Sequence, residues 1–307
     1  MTAVTLNIEP LDATFGAWVH DIELRSIDEA TFEALHETWL EYALLIFSDQ
    51  FLTNDEQDAF ALRFGNLEFN AAPISNVGKD GKVHHEPADD LVKSLKGNWG
   101  WHHDSTYMPL QAKGAVFTAE LVPKDGADTG WADMRAAYEV LSDEDRELVH
   151  TLEAHHSLYY SQGRAGLLPQ KKDDGTYGMY GYHDMDISVR PMVKYHPDTG
   201  RPNLLIGRHA HDIIGMDPDE SVALLDRLNQ EACQPPRTYQ HAWTAGEAVI
   251  WDNRRLMHQG VPFDMSQPRK MWHSRIAGEI ESELALNHTA ETAGFKHGRD
   301  AIMNSVS

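Results

Sequence analysis

The sequence predicts a mainly β fold with flanking helices, formed by one large domain. Short apolar runs separated by turn residues dominate the second half of the chain, which is typical of strands. Alternating strands and helices occupy the first 65 residues and form an entry to this strand-rich part. The 307 residues, 41% of them apolar, are sufficient for one large core. We expect the domain to span residues 1–280 and a polar C-terminal extension to span residues 281–307.

The entry is predicted from apolar spacing and from helix-capping signals. Its expected elements are a strand at residues 4–8, a strand at residues 17–24, a helix that begins at Ser26 and Glu29, a buried strand at residues 43–47 and a helix that begins at Thr53 and Glu56. Both helix starts are capping boxes, in which a serine or threonine precedes a glutamate by three residues. The apolar run at residues 43–47 is uninterrupted, as in strands that are buried on both faces.

Turn residues divide the rest of the chain. Residues 75–97 and 161–186 are polar and contain several glycines, so we expect surface loops there, the first of them a candidate lid. The other expected elements are a strand at 114–121, a helix that begins at Ser142, strands at 190–195 and 203–207, a helix at 217–232, and strands at 248–251 and 270–278.

The charge balance excludes two classes of partner. Lys and Arg number 26 against 48 Asp and Glu, so the net charge is −22 and neither nucleic acid nor an anionic membrane surface is an expected partner. A small anionic substrate would have to be held by individual arginines. The single cysteine, Cys233, excludes an intramolecular disulfide framework and favours the cytoplasm. The N-terminus shows no signal-peptide pattern, and no run of about 18 apolar residues predicts a membrane span.

The segment GNWGWHHDSTY, at residues 97–107, contains a candidate metal site. On an extended chain His102 and Asp104 lie on one face and can bind one ion, whereas His103 points away and is expected to be structural. Such a pair arises by chance in a chain with 18 histidines, so a third ligand is needed. His258 supplies it if the fold returns the segment after an apolar strand to the first pair. Two histidines and one carboxylate leave coordination positions open, as oxygen-activating non-haem iron requires.

Several blocks of the sequence together resemble one enzyme family. WHHDSTY, GADTGWADMRAAYEVL, HPDTGR and WTAGEAVIWDNRRLMHQG occur in this order, before a strand that contains arginine. From about residue 10 to residue 280, the chain is similar to the iron(II)/2-oxoglutarate-dependent dioxygenases of the taurine dioxygenase and 2,4-dichlorophenoxyacetate dioxygenase (TauD/TfdA) family. The resemblance implies a double-stranded β-helix, a jelly-roll of the cupin type. It also implies Fe(II) as the metal, with 2-oxoglutarate and O2 as co-substrates.

The resemblance assigns roles by position. It implies that His102, Asp104 and His258 bind the iron. It further implies that Thr129 binds one carboxylate of 2-oxoglutarate. It also implies that Arg269, which follows the distal histidine by 11 residues, binds the other carboxylate, a task that suits the planar guanidinium group.

One position departs from the family pattern. The family usually has a second arginine 15 residues after the distal histidine, where this chain has His273 and then Arg275 two residues later. Both residues share a face of the predicted strand. Three explanations are open for the positive charge of the usual arginine. Arg275 supplies it, His273 supplies it when protonated, or the position of the arginine is shifted by one or two residues in this sequence. Arg275 is therefore a third candidate for binding 2-oxoglutarate.

Outside the metal motif, the sequence is most similar to the phenoxyacetate branch of the family. That similarity places His209 near the substrate. Arg208 is a candidate partner for a substrate carboxylate, although on a strand it would point to the opposite face. Tyr107 is a candidate lining residue, a position that packing explains equally well. The implied reaction hydroxylates a small organic anion with release of succinate and CO2, and it cleaves an aryloxyalkanoate ether when the resulting hemiacetal collapses.

Other functions remain open at this point. The same chemistry would serve a sulfonate, an alkyl sulfate or a natural-product carboxylate. A zinc-dependent hydrolase would use the same three ligands with an activated water, but it would not need Thr129 paired with Arg269. A non-catalytic metal-binding cupin would need no 2-oxoglutarate. The resemblance also implies a homo-oligomer, because oligomers are common in this family.

Overall fold

The computed structural model describes residues 4–293, with the exception of residues 174, 176, 178 and 179. Over these residues the strands are β1 (Asn7–Pro10), β2 (Ala17–His20), β3 (Leu44–Phe47), β4 (Leu67–Ser75), β5 (Gly114–Leu121), β6 (Thr129–Asp133), β7 (Glu153–His156), β8 (Ser188–Pro191), β9 (Val193–Tyr195), β10 (Pro202–Leu204), β11 (Ala210–Ile213), β12 (Thr238–His241), β13 (Ala248–Asp252), β14 (Leu256–Gly260) and β15 (Lys270–Ile276). The helices are α1 (Glu29–Tyr42), α2 (Asn54–Leu62), α3 (Asp90–Gly97), α4 (Met134–Glu139), α5 (Asp143–Val149), α6 (Leu158–Arg164), α7 (Pro218–Ala232), α8 (Ile280–Glu283) and α9 (Ala290–Ala293), with a 3-10 helix at Leu24–Ser26. None of the helices in this part of the chain is long and apolar enough to cross a membrane.

Two sheets carry the architecture. The main sheet has seven strands in the order β1-β2-β3-β13-β5-β15-β4, and a second sheet has the order β12-β6-β14. All pairs in the main sheet are antiparallel except β2 with β3. Within the described residues, two smaller sheets, β11-β7-β8 and β10-β9, complete the strand structure. Strands from the two ends of the chain are therefore neighbours in the main sheet.

Side-chain alternation along β13 shows how these layers pack. Ala248 and Ile250 pack into one apolar cluster with residues of α1 and α2, while Val249 and Trp251 pack into another with residues of β6 and β14. The first cluster lies between the main sheet and the outer helices, and the second lies between the two sheets. A third cluster packs α4 and α7 against β10. This strand-built core with helices outside it confirms the predicted fold class.

The two predicted capping boxes have different outcomes. Thr53 and Glu56 form the capping box at the start of α2, as predicted. The prediction at Ser26 and Glu29 is wrong, because Ser26 ends the 3-10 helix and Asp28 caps α1 by accepting a hydrogen bond from a backbone amide of the first turn. A carboxylate also interacts favourably with the positive end of the helix dipole, so Asp28 is the better cap.

Several elements were not expected from the sequence, among them α3 and β4. The loop predicted at residues 75–97 is wrong for its final third, where Asp89 caps α3 and Val92 anchors this polar helix by full burial. The strand β4 was missed, and its pairing with β15 forms the edge of the main sheet. The other predicted loop, at residues 161–186, begins inside α6, and four of its residues, 174, 176, 178 and 179, lie outside the described part of the chain.

The region after residue 280 packs on the domain before the described part of the chain ends. Glu283 is fully buried, and Lys194 Nζ lies 3.1 Å from its carboxylate. The Glu283 carbonyl accepts hydrogen bonds from the Gln111 amide at 3.1 Å and from Arg190 Nη1 at 3.0 Å. The division at residue 280 stays a prediction, although the first residues beyond it are held by the core. Residues 294–307 of the predicted extension lie outside the described residues.

Candidate metal centre

The two histidines of the metal pattern face each other across an isolated β-bridge. His102 and His258 form an antiparallel bridge, in which the His102 amide donates to the His258 carbonyl at 3.0 Å and the His258 amide donates to the His102 carbonyl at 2.8 Å. Their ring centroids lie 4.2 Å apart. Strand register therefore brings residue 258 to residue 102 across more than half the length of the chain.

Asp104 completes the cluster. Its Oδ1 lies 4.0 Å from His102 Nε2, and its Oδ2 lies 3.8 Å from His258 Nε2. These distances exceed a hydrogen bond, yet one ligand atom from each residue lies within 4.8 Å of the other two. It is the one group of three or more potential ligands with this geometry among the residues that the structure describes. Asp104 Oδ2 is buried and has no donor among those residues, an arrangement that fits a bound cation.

The protonation states of the cluster suit a metal. Burial lowers the pKa of both His102 and His258, so the imidazoles are neutral and keep a lone pair for an ion. Burial opposes ionisation of Asp104, but the nearby Arg275 outweighs it and holds the pKa of this carboxyl group well below its usual range. His102 Nδ1 donates to the Gly100 carbonyl at 2.7 Å, which leaves Nε2 facing Asp104.

Asn253 holds Asp104 in place through the backbone. Asn253 Oδ1 accepts from the Asp104 amide at 2.7 Å, and Nδ2 donates to the Asp104 carbonyl at 3.0 Å and to the Ala112 carbonyl at 2.8 Å. His103 points away from the cluster, as strand geometry predicts, and its Nδ1 donates to the Asn253 carbonyl at 2.7 Å. Sequence analysis assigned no role to Asn253, and its place in the WDN string was the signal for it.

Two buried ion pairs join the sequence blocks that resemble the family. Asp252 accepts hydrogen bonds from the Arg254 guanidinium at 2.7 and 2.9 Å and from His196 Nε2 at 2.8 Å. The segment WDNRR is therefore in direct contact with the segment HPDTG. Arg255 donates to the Asp133 carboxylate at 2.6 and 3.0 Å, so the same block meets GWAD. These contacts fix the turn that leads from β13 into β14, which carries the distal histidine.

Arg269 is a buried cation that lacks a carboxylate partner. It is 8% exposed, and no carboxylate of the described residues lies within ion-pair distance of its guanidinium group. The guanidinium carbon lies 5.9 Å from the Phe117 ring centroid and 6.0 Å from that of Phe263. Burial lowers the pKa of Arg269 to about 10, so it stays charged at neutral pH. Burying such a charge is costly unless an anion lies beside it.

Thr129 is connected to Arg269 through two aromatic rings. Thr129 Oγ1 accepts a hydrogen bond from Trp243 Nε1 at 2.9 Å, so its own proton is left to donate to a ligand. Trp243 packs edge-on against Phe117 at a centroid distance of 5.5 Å, and Phe117 also neighbours Arg269. The two residues assigned to 2-oxoglutarate therefore line the same apolar wall.

His273, at the position that departs from the family pattern, and Arg275, two residues later, both lie close to Asp104, as their shared strand face predicts. Arg275 Nη2 donates to Asp104 Oδ1 at 2.9 Å, and His273 Nε2 lies 3.6 Å from Oδ2. Burial, together with the nearby Arg275, lowers the pKa of His273 to about 3, so this imidazole is neutral. Arg275 thus carries the positive charge on this face, and it is already paired with the carboxylate of Asp104.

Arg208 and His209 lie in a turn before β11, so strand alternation does not separate their side chains as the sequence suggested. Arg208 Nη2 donates to the Ser161 carbonyl at 2.9 Å, and His209 Nδ1 lies 2.8 Å from Ser161 Oγ. Both side chains therefore reach the same residue of α6. The His209 ring lies 5.6 Å from His102 and 4.8 Å from Tyr107, so two of the three substrate candidates border the metal cluster.

Comparison with known proteins decides the family. The family model described as "Taurine catabolism dioxygenase TauD, TfdA family" matches residues 7–275. The chain belongs to this family. Family membership confirms a 2-oxoglutarate-dependent dioxygenase, with iron(II) as the metal and O2 as the second co-substrate.

Individual relatives agree with the family assignment. The dioxygenase is 58% identical over 283 residues to the (S)-phenoxypropionate/alpha-ketoglutarate-dioxygenase of Sphingobium herbicidovorans, covering 92% of this chain and 98% of the relative. It is 34% identical over 278 residues to the alpha-ketoglutarate-dependent 2,4-dichlorophenoxyacetate dioxygenase of Cupriavidus pinatubonensis, covering 85% of this chain and 94% of the relative. The crystal structure of AAD-2 in complex with Mn(II) and N-oxalylglycine matches with a TM-score of 0.84 and 34% identity, covering 93% of this chain and 100% of that chain. These relatives confirm the cupin-type jelly-roll and a small-molecule substrate, and they do not support a zinc hydrolase or a non-catalytic cupin.

Most residues predicted for the site of the dioxygenase are joined by direct contacts. His102, Asp104, His258, Arg275, His209 and Tyr107 form one set, to which Ser161 connects Arg208. Phe117 packs against His273 at 5.6 Å and so connects this set with the wall of Thr129 and Arg269. Sequence analysis missed three polar residues that support the cluster. Asn253 lies close to His258 in the sequence but was given no role, whereas Glu68 and Tyr180 lie far from all three predicted ligands.

Proposed function

We propose that this dioxygenase acts on small aryloxyalkanoates. Hydroxylation of the carbon beside the ether oxygen would give a hemiacetal or hemiketal, which collapses to a phenol and a 2-oxo acid. The names of the relatives, which specify phenoxypropionate and 2,4-dichlorophenoxyacetate, support this class. The structural observation that carries the proposal is that Arg208 and Arg269 have no carboxylate partner among the described residues. Two unpaired cations suit a reaction in which both organic reactants are carboxylates.

The residues that would hold iron are His102, Asp104 and His258. Iron(II), when bound together with 2-oxoglutarate, supplies the activation of O2 that oxidises a substrate C–H bond and releases succinate and CO2. The two imidazoles are neutral and the carboxylate is ionised, so all three donors are ready for a cation without losing protons. Arg275 occupies Oδ1 of Asp104 and leaves Oδ2 for the ion.

Arg269 and Thr129 would bind the carboxylates of 2-oxoglutarate. The guanidinium group of Arg269 offers parallel N–H donors, and the Thr129 hydroxyl offers its proton because its oxygen already accepts from Trp243. Phe117 and Phe263 flank the guanidinium group and keep water from it. In such an apolar surrounding the ion pair is stronger than it would be in water.

Arg208 would bind the substrate carboxylate, while His209 and Tyr107 border the reacting carbon. Burial lowers the pKa of Arg208, yet no acid of the described residues pairs with it, and its donors meet only neutral oxygens. Burial keeps His209 neutral by lowering its pKa, and it raises the pKa of Tyr107, whose hydroxyl therefore stays protonated. Tyr182 lies near Arg208, so together with Tyr107 it offers an aromatic face for the aryl group of a substrate.

A substrate panel tests this proposal. Enzyme with Fe(II), 2-oxoglutarate and O2 is given (S)-2-phenoxypropanoate, its (R) enantiomer, 2,4-dichlorophenoxyacetate, taurine or hexyl sulfate, and phenol and succinate are measured. We expect phenol and succinate in equal amounts from at least one aryloxyalkanoate. Succinate formed with the sulfonate or the alkyl sulfate, and with none of the aryloxyalkanoates, would overturn the substrate class while leaving the reaction type intact.

We further propose that the enzyme works in the cytoplasm as a homo-oligomer. Cys233 is the only cysteine, and burial raises its pKa to about 12, so its thiol is not poised for oxidation. The homo-oligomer is proposed because oligomers are common in this family. Light scattering after size-exclusion chromatography measures the subunit number directly, and a monomer at micromolar concentration would contradict the proposal.

A further inference from the structure

A second, partly buried carboxylate lies close to the metal cluster. Glu68, on β4, accepts hydrogen bonds from Ser105 Oγ at 3.1 and 3.3 Å and from the Tyr180 hydroxyl. Tyr180 and Ser105 are themselves 2.9 Å apart through their hydroxyl oxygens. Glu68 Oε2 also lies 4.0 Å from Arg275 Nε. None of these contacts serves the reactants assigned above, so their role is a separate question.

The same network holds the end of the Arg275 guanidinium group. Its Nη2 donates to Asp104 Oδ1 at 2.9 Å, and its Nη1 donates to Ser105 Oγ at 3.1 Å. The guanidinium carbon lies 4.7 Å from the Phe69 ring centroid and 5.4 Å from that of Tyr180. Unlike Arg269, this arginine has its charge compensated and its plane packed between rings. It is therefore built to hold a carboxylate that is already present, namely that of Asp104.

Ser105 follows the ligand Asp104 directly and has a left-handed backbone with φ of 56°. A non-glycine residue adopts this conformation only where its surroundings enforce it. The Ser105 hydroxyl contacts Glu68, Tyr180 and Arg275, which supply that enforcement. The direction of the chain at Asp104 thus depends on the network as well as on Asn253.

Tyr180 belongs to a segment that also covers the substrate side. Gly181 packs so closely on Tyr107 and Leu158 that an added Cβ would lie 2.6 Å from an atom of each. The next residue, Tyr182, packs edge-on against Tyr159 at 5.0 Å. One hydroxyl group on this segment, that of Tyr180, is thereby tied to the residues that orient Asp104.

We propose that Glu68 and Tyr180 are positioning residues for the metal ligand Asp104. They hold Ser105 and Arg275 so that Arg275 takes one oxygen of Asp104 and leaves the other for the ion. Through Tyr180 the same contacts tie this orientation to the position of residues 180–182 over Tyr107. The inference deepens the proposed function, since it rests on His102, Asp104 and His258 as the ligands. Its consequence is that a substrate-side segment and the metal site are mechanically coupled.

Titration with Mn(II), followed by the electron paramagnetic resonance signal of the free ion, tests the inference without turnover. Tyr180→Phe keeps the ring over Arg275 and removes only the hydroxyl, and Glu68→Gln keeps the shape and removes the charge. We expect the Kd for Mn(II) to rise roughly tenfold in each variant, as is typical when an outer hydrogen-bond partner of a ligand is lost. Tyr177→Phe is the matched control, because Tyr177 lies in the same part of the chain but packs on Tyr159 and Tyr182 instead. It should bind Mn(II) like the wild type.

Turnover gives a second readout that simple loss of packing would not change. In Tyr180→Phe we expect the ratio of 2-oxoglutarate consumed to phenol formed to rise at least twofold, and Tyr177→Phe to keep the wild-type ratio. Unchanged Mn(II) affinity in Tyr180→Phe overturns the inference, even if the KM for the substrate changes. Equal weakening in all three variants also overturns it, because the segment would then act by general packing. If no aryloxyalkanoate is a substrate, the Mn(II) titration still decides the inference on its own.

Discussion

Replacing Arg269 with methionine should have opposite effects on co-substrate binding and on the stability of the ligand-free protein. The side chain is buried, and no carboxylate of the described residues lies within ion-pair distance of it. Without an anion, its charge bears a desolvation cost of several kcal/mol. Contacts with the faces of Phe117 and Phe263 offset only about 1 kcal/mol of that cost. Methionine fills a similar volume without the charge.

The magnitudes follow from this charge balance. Truncating one partner of a buried, hydrogen-bonded charge pair costs about 2–5 kcal/mol, so the Kd for 2-oxoglutarate should rise roughly 30-fold to more than 1,000-fold. The ligand-free protein should instead gain about 1 kcal/mol, which corresponds to about 2 °C in Tm for a chain of this size. Arg269→Lys keeps the charge but loses the planar fork, so it should weaken binding without the gain in stability.

Two measurements separate these effects. Calorimetric Tm values are compared with and without N-oxalylglycine in the presence of Mn(II), and the visible charge-transfer band of 2-oxoglutarate on Fe(II) is titrated without oxygen. Arg201→Met, which removes an exposed arginine, is the control and should change neither quantity. A lower Tm for ligand-free Arg269→Met together with wild-type binding would refute the reasoning, because Arg269 would then be a structural residue.

Three further predictions concern other residues of the site. Asn253→Ala leaves three buried backbone groups unpaired around Asp104 and Ala112, so the free energy of unfolding should fall by about 3 kcal/mol, and urea denaturation measures it. Burial lowers the pKa of His103 to about 4, from about 6.5 in the unfolded chain. The neutral side chain therefore contributes its full stabilisation, about 3 kcal/mol, above pH 6.5, and this contribution is lost as the pH falls through 4. His103→Gln should flatten the pH dependence of Tm in that window, and an unchanged slope would contradict this. Arg208→Gln should raise the KM for an aryloxyalkanoate at least tenfold and leave the KM for 2-oxoglutarate within about twofold, as steady-state kinetics would show.

The sequence by itself was sufficient to predict the metal ligands and to identify the family. His102 and Asp104 are two residues apart, and an extended chain places such residues on one face. Arg269 and Thr129 came from blocks that resemble the family, and the buried strand at residues 43–47 was evident from an uninterrupted apolar run. Each of these signals is contained in a short stretch, so no knowledge of long-range pairing was needed.

Only the tertiary structure decided which charges meet. The contacts of Asp104 with Asn253 and Arg275 join residues 149 and 171 positions apart, and that of Tyr180 with Glu68 joins residues 112 positions apart. The spacing that predicts helix or strand faces carries no information over such separations, because sheet order and register set them. The structure therefore showed that Arg275 is paired while Arg269 and Arg208 lack carboxylate partners. The physical reason is that a guanidinium group paired with a carboxylate of the protein supports the fold, whereas one without such a partner can bind an anionic ligand. Only folding brings the two groups of such a pair together.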